Sequence, residues 1–179
     1  MRPLHCLIWF LLCGRAVAQG GIYIDKGACP GEGCRYGEEW TASRTVSLLE
    51  QPDPAAKLVA ALSAGTAVET VTGEVHTVPG RFIVHRPYGN FVPGDEVLLY
   101  TYLGEGRFRL RHNGLLKDVD LNIGPGDSAR STGCDKNDKR CWGTLQDELK
   151  FEWWVKVRAD NGAEGWVRGA SGFTTPSRH

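Results

Sequence analysis

An excess of charge of either sign is the first thing that this sequence lacks. Lys and Arg together contribute 21 of its 179 residues, and Asp and Glu together also contribute 21. A protein that is drawn to nucleic acid or to an anionic membrane by its overall charge carries a basic excess or a basic stretch. The balance found here excludes recruitment of nucleic acid or of an anionic membrane by bulk charge.

A hydrophobic run long enough to cross a bilayer is also absent, because a membrane-spanning helix needs about 20 apolar residues. The run from Leu7 to Leu12 is shorter, and it lies between Arg2 and the small residues Ala16-Val17-Ala18. This order is typical of a secretory signal. We predict that residues 1–18 are removed before Gln19, that the product is secreted or periplasmic, and that no membrane span remains after cleavage.

Catalytic motifs are missing as well. The sequence contains no Gly-x-Ser-x-Gly elbow, no His-Glu-x-x-His helix and no phosphate-binding glycine loop. A chain of 179 residues has room for one ordinary domain or two very small ones, which leaves no length for a separate peptidase domain. We therefore expect that the protein is not an enzyme and needs no cofactor.

Cysteine is present as two close pairs once the signal is removed, Cys29 with Cys34 and Cys134 with Cys141. Thiols in an exported chain are usually oxidised, and short loops close at the lowest entropic cost. Of the possible connectivities we therefore favour the two local disulfides, Cys29–Cys34 and Cys134–Cys141. The alternative is a zinc site built from all these thiolates, although zinc ligands usually come in pairs spaced two residues apart.

Short strand-like segments fill the chain from Trp40 onward, separated by Gly, Pro or Asn-Gly turns. The predicted strands are residues 45–50, 57–62, 66–72, 81–85, 96–102, 107–111 and 115–121. Only Leu145 to Lys150 reads as a short helix, with Thr144 as its cap. Many short strands with few long apolar runs predict an all-β protein built from small barrels.

The stretch 151–169, FEWWVKVRADNGAEGWVRG, contains the clearest hairpin signal. Apolar residues alternate with charged ones from Trp153 to Arg158, which places the two sets on opposite faces of a strand. Asn161-Gly162 then predicts a tight two-residue turn, and the chain returns through Trp166 and Val167.

Two segments resemble the halves of a bacterial SH3-type (SH3b) domain. Residues 45–74, TVSLLEQPDPAAKLVAALSAGTAVETVTGE, resemble the first half, in which a strand ends in a Pro turn and a second strand and a Gly-led strand follow. Residues 153–167, WWVKVRADNGAEGWV, resemble the second half. The resemblance implies small SH3-like barrels: either one split barrel with an inserted partial second barrel or two tandem barrels.

The resemblance also divides the chain. The predicted parts are the signal peptide (1–18), a disulfide-stapled N-terminal arm (19–39), the first half of the barrel (40–75), an inserted partial second β unit with the other disulfide loop (76–150), the closing hairpin (151–169) and a C-terminal tail (170–179).

Bacterial members of this family are usually non-catalytic modules attached to, or working near, cell-wall enzymes. The resemblance therefore implies an exported, non-catalytic binding module whose ligand is a peptide or glycan of the cell envelope. One alternative is a structural or regulatory subunit that docks on another secreted protein. Another is a metal-dependent hydrolase.

Four aromatic residues are the candidate ligand-binding residues. Trp153 and Trp154 point to opposite faces of one strand, so at most one of them can lie fully in the barrel core. We predict that Trp154 and Trp166 lie toward the outer, groove side, with Tyr100 and Tyr102 as their neighbours.

The hydrolase alternative depends on Glu74, His76 and His85. A tight turn from Val78 to Arg81 would place Glu74 opposite His85, with His76 on the same face. Such a cluster could bind zinc or act as acid and base. A polar hairpin face is the simpler interpretation, and we expect no metal.

Overall fold

The structure is a computed structural model, and it describes residues 21–30, 34–121 and 142–176. All the regular secondary structure in these ranges is β-strand, so the all-β prediction is confirmed. In chain order the strands are β1 (Tyr23–Lys26), β2 (Glu39–Ala42), β3 (Val46–Leu49), β4 (Leu58–Leu62), β5 (Ala67–Val78), β6 (Gly80–Val84), β7 (Glu96–Gly104), β8 (Arg107–His112), β9 (Leu115–Asp120), β10 (Gly143–Asp147), β11 (Lys150–Ala159), β12 (Glu164–Arg168) and β13 (Phe173–Thr174). A search of these ranges finds no helix with the length and apolar character that crossing a membrane would require. The predicted signal peptide lies outside the described residues.

The first sheet has the strand order β13-β2-β5-β11-β12-β3-β4 and curls into a half-barrel. Its long central strand, β5, pairs with β11 along one edge, while β2 and β1 share the other edge. Alternate residues of these strands point inward and form one core, as the two-residue period of a strand requires. The buried members of this core are Trp40, Ala42, Leu48, Leu62, Val68, Val155, Val157, Ala159 and Val167.

The second sheet has the strand order β10-β6-β7-β8-β9 and a core of its own. All its strands come, in sequence, between β5 and β11 of the first sheet. Asn113-Gly114 joins β8 to β9 with both residues at positive φ, 50° and 77°, as expected for a two-residue hairpin turn. The buried members of the second core are Phe82, Val84, Phe91, Val97, Leu99, Phe108, Leu110, Leu121 and Trp142.

The predicted helix from Leu145 to Lys150 is wrong. Residues 143–147 form β10, which pairs with β6 and places Leu145 opposite Phe82, and β11 begins at Lys150. Leu145 and Leu149 both pack against the second core. Pairing with a neighbouring strand and burial therefore override the local helical preference of this segment.

The hairpin at 151–169 is present, as β11 and β12 pair in antiparallel fashion. Its turn is longer than predicted, because the Ala159 N–H donates to the Ala163 carbonyl (2.8 Å) and leaves three residues in the loop. Gly162 has a φ of 83°, and the Asn161 side-chain oxygen accepts from the Ala163 N–H at 3.0 Å. A three-residue loop with a left-handed residue at its end is the next most favoured hairpin connection after the two-residue turns.

We expect Gly162→Val to lower the free energy of unfolding by about 1 to 2 kcal/mol, because a β-branched residue is strained at positive φ. Gly162→Asn is the matched control and should cost less, since Asn tolerates the left-handed region. Urea unfolding followed by circular dichroism measures both. Equal midpoints for the two variants would contradict the strain argument.

The disulfide that was predicted within the N-terminal arm is present. Cys29 and Cys34 form a disulfide, with their Cα atoms 5.4 Å apart. Cys134 and Cys141 lie outside the described residues. The arm also contains β1, which the sequence reading missed and which pairs with β5 from Tyr23↔Thr77 to Lys26↔Glu74.

A buried carboxylate on β1 joins the two sheets. Asp25 is only 5% exposed. It accepts from the Thr101 hydroxyl at 2.8 Å and from Arg109 Nη1 at 2.7 and 2.9 Å. Arg109 also donates to Asp118, and the Tyr23 ring stacks on Tyr100 with centroids 4.2 Å apart. We call Asp25, Thr101, Arg109 and Asp118 the inter-sheet bridge.

The inter-sheet bridge makes part of the stability depend on pH. Hydrogen bonds from Arg109 hold the pKa of Asp118 below its ordinary value of 3.8. A carboxyl group with a lowered native pKa stabilises the fold above the ordinary pKa, and this contribution is lost as pH falls through the native pKa. We expect the free energy of unfolding to decline below about pH 4, and to decline less steeply in Asp118→Asn. Urea unfolding of both proteins at several pH values measures this effect. Equal slopes of the free energy of unfolding against pH would mean that the Arg109–Asp118 bond does not contribute.

Candidate functional site

Trp154 does not present its ring to solvent. It lies on the outer face of β11, as predicted, opposite the face that carries Val155 and Val157 into the core. However, it is only 1% exposed and is the largest of the fully buried side chains. The His76 ring lies on the same face, 6.5 Å from the Trp154 ring between centroids. Trp154 is therefore buried although it lies on the outer face, and its ring is not accessible to a ligand in this structure.

The other three predicted rings do not form one surface with Trp154. Tyr100 is 4% exposed and stacks on Tyr23, which makes it part of the contact between the sheets. Tyr102 is half-buried against Phe108, with ring centroids 5.1 Å apart. Trp166 is half-buried on β12, where it pairs with Lys156 and Leu49. Within the described ranges, none of the four rings contacts another of the four.

The predicted Glu74, His76 and His85 cluster is only partly formed. Glu74 and His76 share a face and are joined by a 2.9 Å contact between Glu74 Oε2 and His76 Nε2. His85 is not part of this pair, because β5 and β6 belong to different sheets and do not form a hairpin. Its Nε2 lies 2.9 Å from the Thr144 hydroxyl instead. Among the residues that the structure describes, no group of three or more His, Cys, Asp or Glu side chains is placed to hold a metal ion.

The site that the structure offers is a groove of about 670 Å³ on the outer face of the first sheet. Its floor is formed where β1, β5 and the start of β11 lie side by side, and the loop between β3 and β4 lines it as well. We call it the outer groove. It is lined by Ile22, Ile24, Pro52, Asp53, Pro54, His76, Val78, Lys150, Phe151, Glu152 and Arg168.

The outer groove gathers exposed apolar side chains. Ile22 is 64% exposed, Ile24 45%, Val78 47% and Phe151 53%. Register explains part of the grouping: Ile24 pairs with His76 and His76 pairs with Glu152, so these side chains share one face of the sheet, whereas Phe151 pairs with Thr77 and has the opposite alternation. Pro52 and Pro54 add apolar surface. Exposed apolar patches of this kind mark interaction sites on soluble proteins.

The charged groups of the outer groove are of both signs. Arg168 donates to Glu152 across the β11–β12 pair. Asp53 is committed to its own turn, because its carboxylate accepts from the Ala55 N–H at 2.8 Å. Lys150 stands at the start of β11 beside Val78. The groove can therefore hold an apolar group beside the charged side chains of Lys150 and of the Arg168–Glu152 pair.

The backbone beside the outer groove has an open edge. β11 pairs with β12 only from Trp154 to Arg158, and the Gly169 N–H donates to the Trp153 carbonyl (2.6 Å) where that pairing ends. Residues alternate along a strand, so Phe151 directs its N–H and C=O to the same side as Trp153. No strand in the described ranges pairs with Lys150, Phe151 or Glu152 on that side.

Sequence reasoning missed the outer groove because its parts are distant in the chain. Ile22 and Ile24 have the alternation of a strand, but they lie in a glycine-rich arm that reads as turns. Phe151 reads as the start of a hairpin whose partner strand does not reach it. The one available signal was the pair of isoleucines, which would have suggested a strand in the arm.

Comparisons with protein-family models, with curated proteins and with solved structures give no match to this chain.

Proposed function

We propose that the protein is an exported, non-catalytic SH3-type binding module that holds a peptide segment of the cell envelope in the outer groove. The observation that carries the proposal is the gathering of Ile22, Ile24, Val78 and Phe151, all exposed, around one groove. The half-barrel and its closing hairpin support the SH3-type part of the proposal.

A peptide fits the lining better than a glycan does. Protein sites for sugars present flat aromatic faces together with many hydrogen-bonding groups, whereas aliphatic side chains and prolines dominate the apolar part of this groove. Peptides also carry ionic groups of both signs, and the groove offers Lys150 beside the Arg168–Glu152 pair. The same ligand chemistry is found in envelope proteins and in the stem peptides of the cell wall.

The test is binding of the purified exported protein to three probes: an array of random peptides, intact peptidoglycan, and glycan strands stripped of their stem peptides. We expect binding to peptides or to intact peptidoglycan, and Ile24→Ser or Val78→Ser should weaken it about tenfold or more. The matched control is Leu115→Ser, which changes a 63% exposed leucine on the second sheet and should bind as the unmodified protein does.

The three probes separate the sources of the ligand. Binding to array peptides alone indicates an envelope protein as partner, and binding that needs stem peptides indicates the wall. Binding to stripped glycan strands, or binding that Ile24→Ser and Val78→Ser leave unchanged, would overturn the proposal.

A further inference from the structure

The open edge of β11 has a charge pattern that is complementary to itself. Lys150 and Glu152 flank Phe151 with opposite charges, and these three residues precede both the Gly169 bond to Trp153 and the pairing of β11 with β12. When two copies of a segment pair in antiparallel fashion about a central residue, the residue before the centre faces the residue after it in the other copy. With Phe151 at the centre, Lys150 of each copy faces Glu152 of the other.

We propose that this edge, Lys150 to Glu152, is an interface at which two copies of the chain join their first sheets across a two-fold axis. Phe151 of one copy exchanges both backbone hydrogen bonds with Phe151 of the other, and a Lys–Glu pair forms on each side. Such an interface is isologous, because the same patch serves in both copies. The proposal does not rest on peptide binding, but Lys150, Phe151 and Glu152 also line the outer groove, so a bound peptide would compete with the second copy.

The length of the open edge suits this pairing. On one side it begins where β11 begins, at Lys150. On the other side it ends at Glu152, because the Gly169 N–H occupies the Trp153 carbonyl. A partner segment of three residues therefore fits between these limits, and a longer strand would meet the end of β12. A second copy presents a segment of this length that is bounded in the same way.

The side chains at the edge also favour a second copy. Phe151 is 53% exposed, and two such rings lie side by side in an antiparallel pair that is centred on them. Lys150 is exposed, and Glu152 keeps a side-chain exposure of 41% despite its bond to Arg168, so both can reach across the axis. An interface this short is weak, and the dimer should dissociate on dilution.

The test is sedimentation equilibrium of the full exported chain over a wide concentration range. We expect a concentration-dependent dimer. Lys150→Glu and Glu152→Lys should each raise the dissociation constant about tenfold or more, because like charges then face each other on both sides of the axis. The double variant, Lys150→Glu with Glu152→Lys, restores opposite charges and should dimerise as the unmodified chain does.

Two controls separate this interface from other effects. Lys57→Glu reverses an exposed charge away from the edge, and Ile24→Ser alters the outer groove; both should leave the dissociation constant unchanged. A monomer at every concentration, single variants that dimerise normally, or a double variant that fails to recover would each overturn the proposal. Loss of peptide binding with an intact dimer, or the reverse, shows which of the two proposals has failed.

Discussion

Trp154→Ala should lower the free energy of unfolding by about 3 to 5 kcal/mol. The ring is 1% exposed, so its removal leaves a cavity on the outer face of β11 and forfeits the packing of the largest fully buried side chain. Urea unfolding monitored by far-UV circular dichroism measures the loss. An unchanged midpoint would mean that the ring lies on the surface and is free to bind a ligand.

Trp154→Phe is the matched control for this cavity. The indole Nε1 of Trp154 is buried and has no hydrogen-bond partner among the described residues, so Phe removes a polar group whose burial is costly. The phenyl ring also retains most of the buried apolar surface. We therefore expect a clearly smaller loss than for Ala, and equal losses would contradict the packing argument.

Asp25→Ala should cost about 3 kcal/mol or more, because it removes one partner from a buried ionic contact. The Thr101 hydroxyl, on a residue that is 1% exposed, then loses its acceptor, and Arg109 loses one of its two carboxylate partners and keeps Asp118. Differential scanning calorimetry measures the loss, and it should also show whether the two sheets still unfold in one transition.

Asp118→Ala provides the comparison for Asp25→Ala. Asp118 contacts the same guanidinium group, but its side chain is 36% exposed, whereas that of Asp25 is 6% exposed. An ion pair that involves an exposed carboxylate contributes less to stability than a buried one, because water solvates and screens the exposed charge. The cost of Asp118→Ala should therefore be the smaller one, and the reverse order would mean that Asp25 does not bridge the sheets.

Local patterns in the sequence predicted the elements whose partners are close in the chain. Alternation and an Asn-Gly pair found β11 and β12, and Asn113-Gly114 marked the turn after β8. The Cys29–Cys34 disulfide was likewise predicted, from the short loop that it closes. In each case the interactions that stabilise the element are formed by residues close together in the chain, so a local sequence pattern predicts it.

Elements whose partners are distant were misread. The segment 145–150 looks helical until β6 is present to pair with it, and β1 looks like a turn until β5 is present. The face of Trp154 followed from alternation, but its burial depends on what covers the outer side of the sheet. The outer groove itself combines residues 22–24, 52–54, 76–78, 150–152 and 168, so no local window contains its pattern.

The order of the strands also has a consequence for how the chain folds as it emerges. β5 cannot pair with β11 until residues 79–149, which separate the two strands in the chain, have been synthesised. In contrast, β6, β7, β8 and β9 are neighbours both in the chain and in the second sheet. Closing a long loop costs more entropy than pairing adjacent segments, so contacts that are local in sequence form sooner. The second sheet can therefore assemble first, and the pairing of β10 with β6 then places the start of β11 near the end of β5 and lowers the entropic cost of joining these two strands.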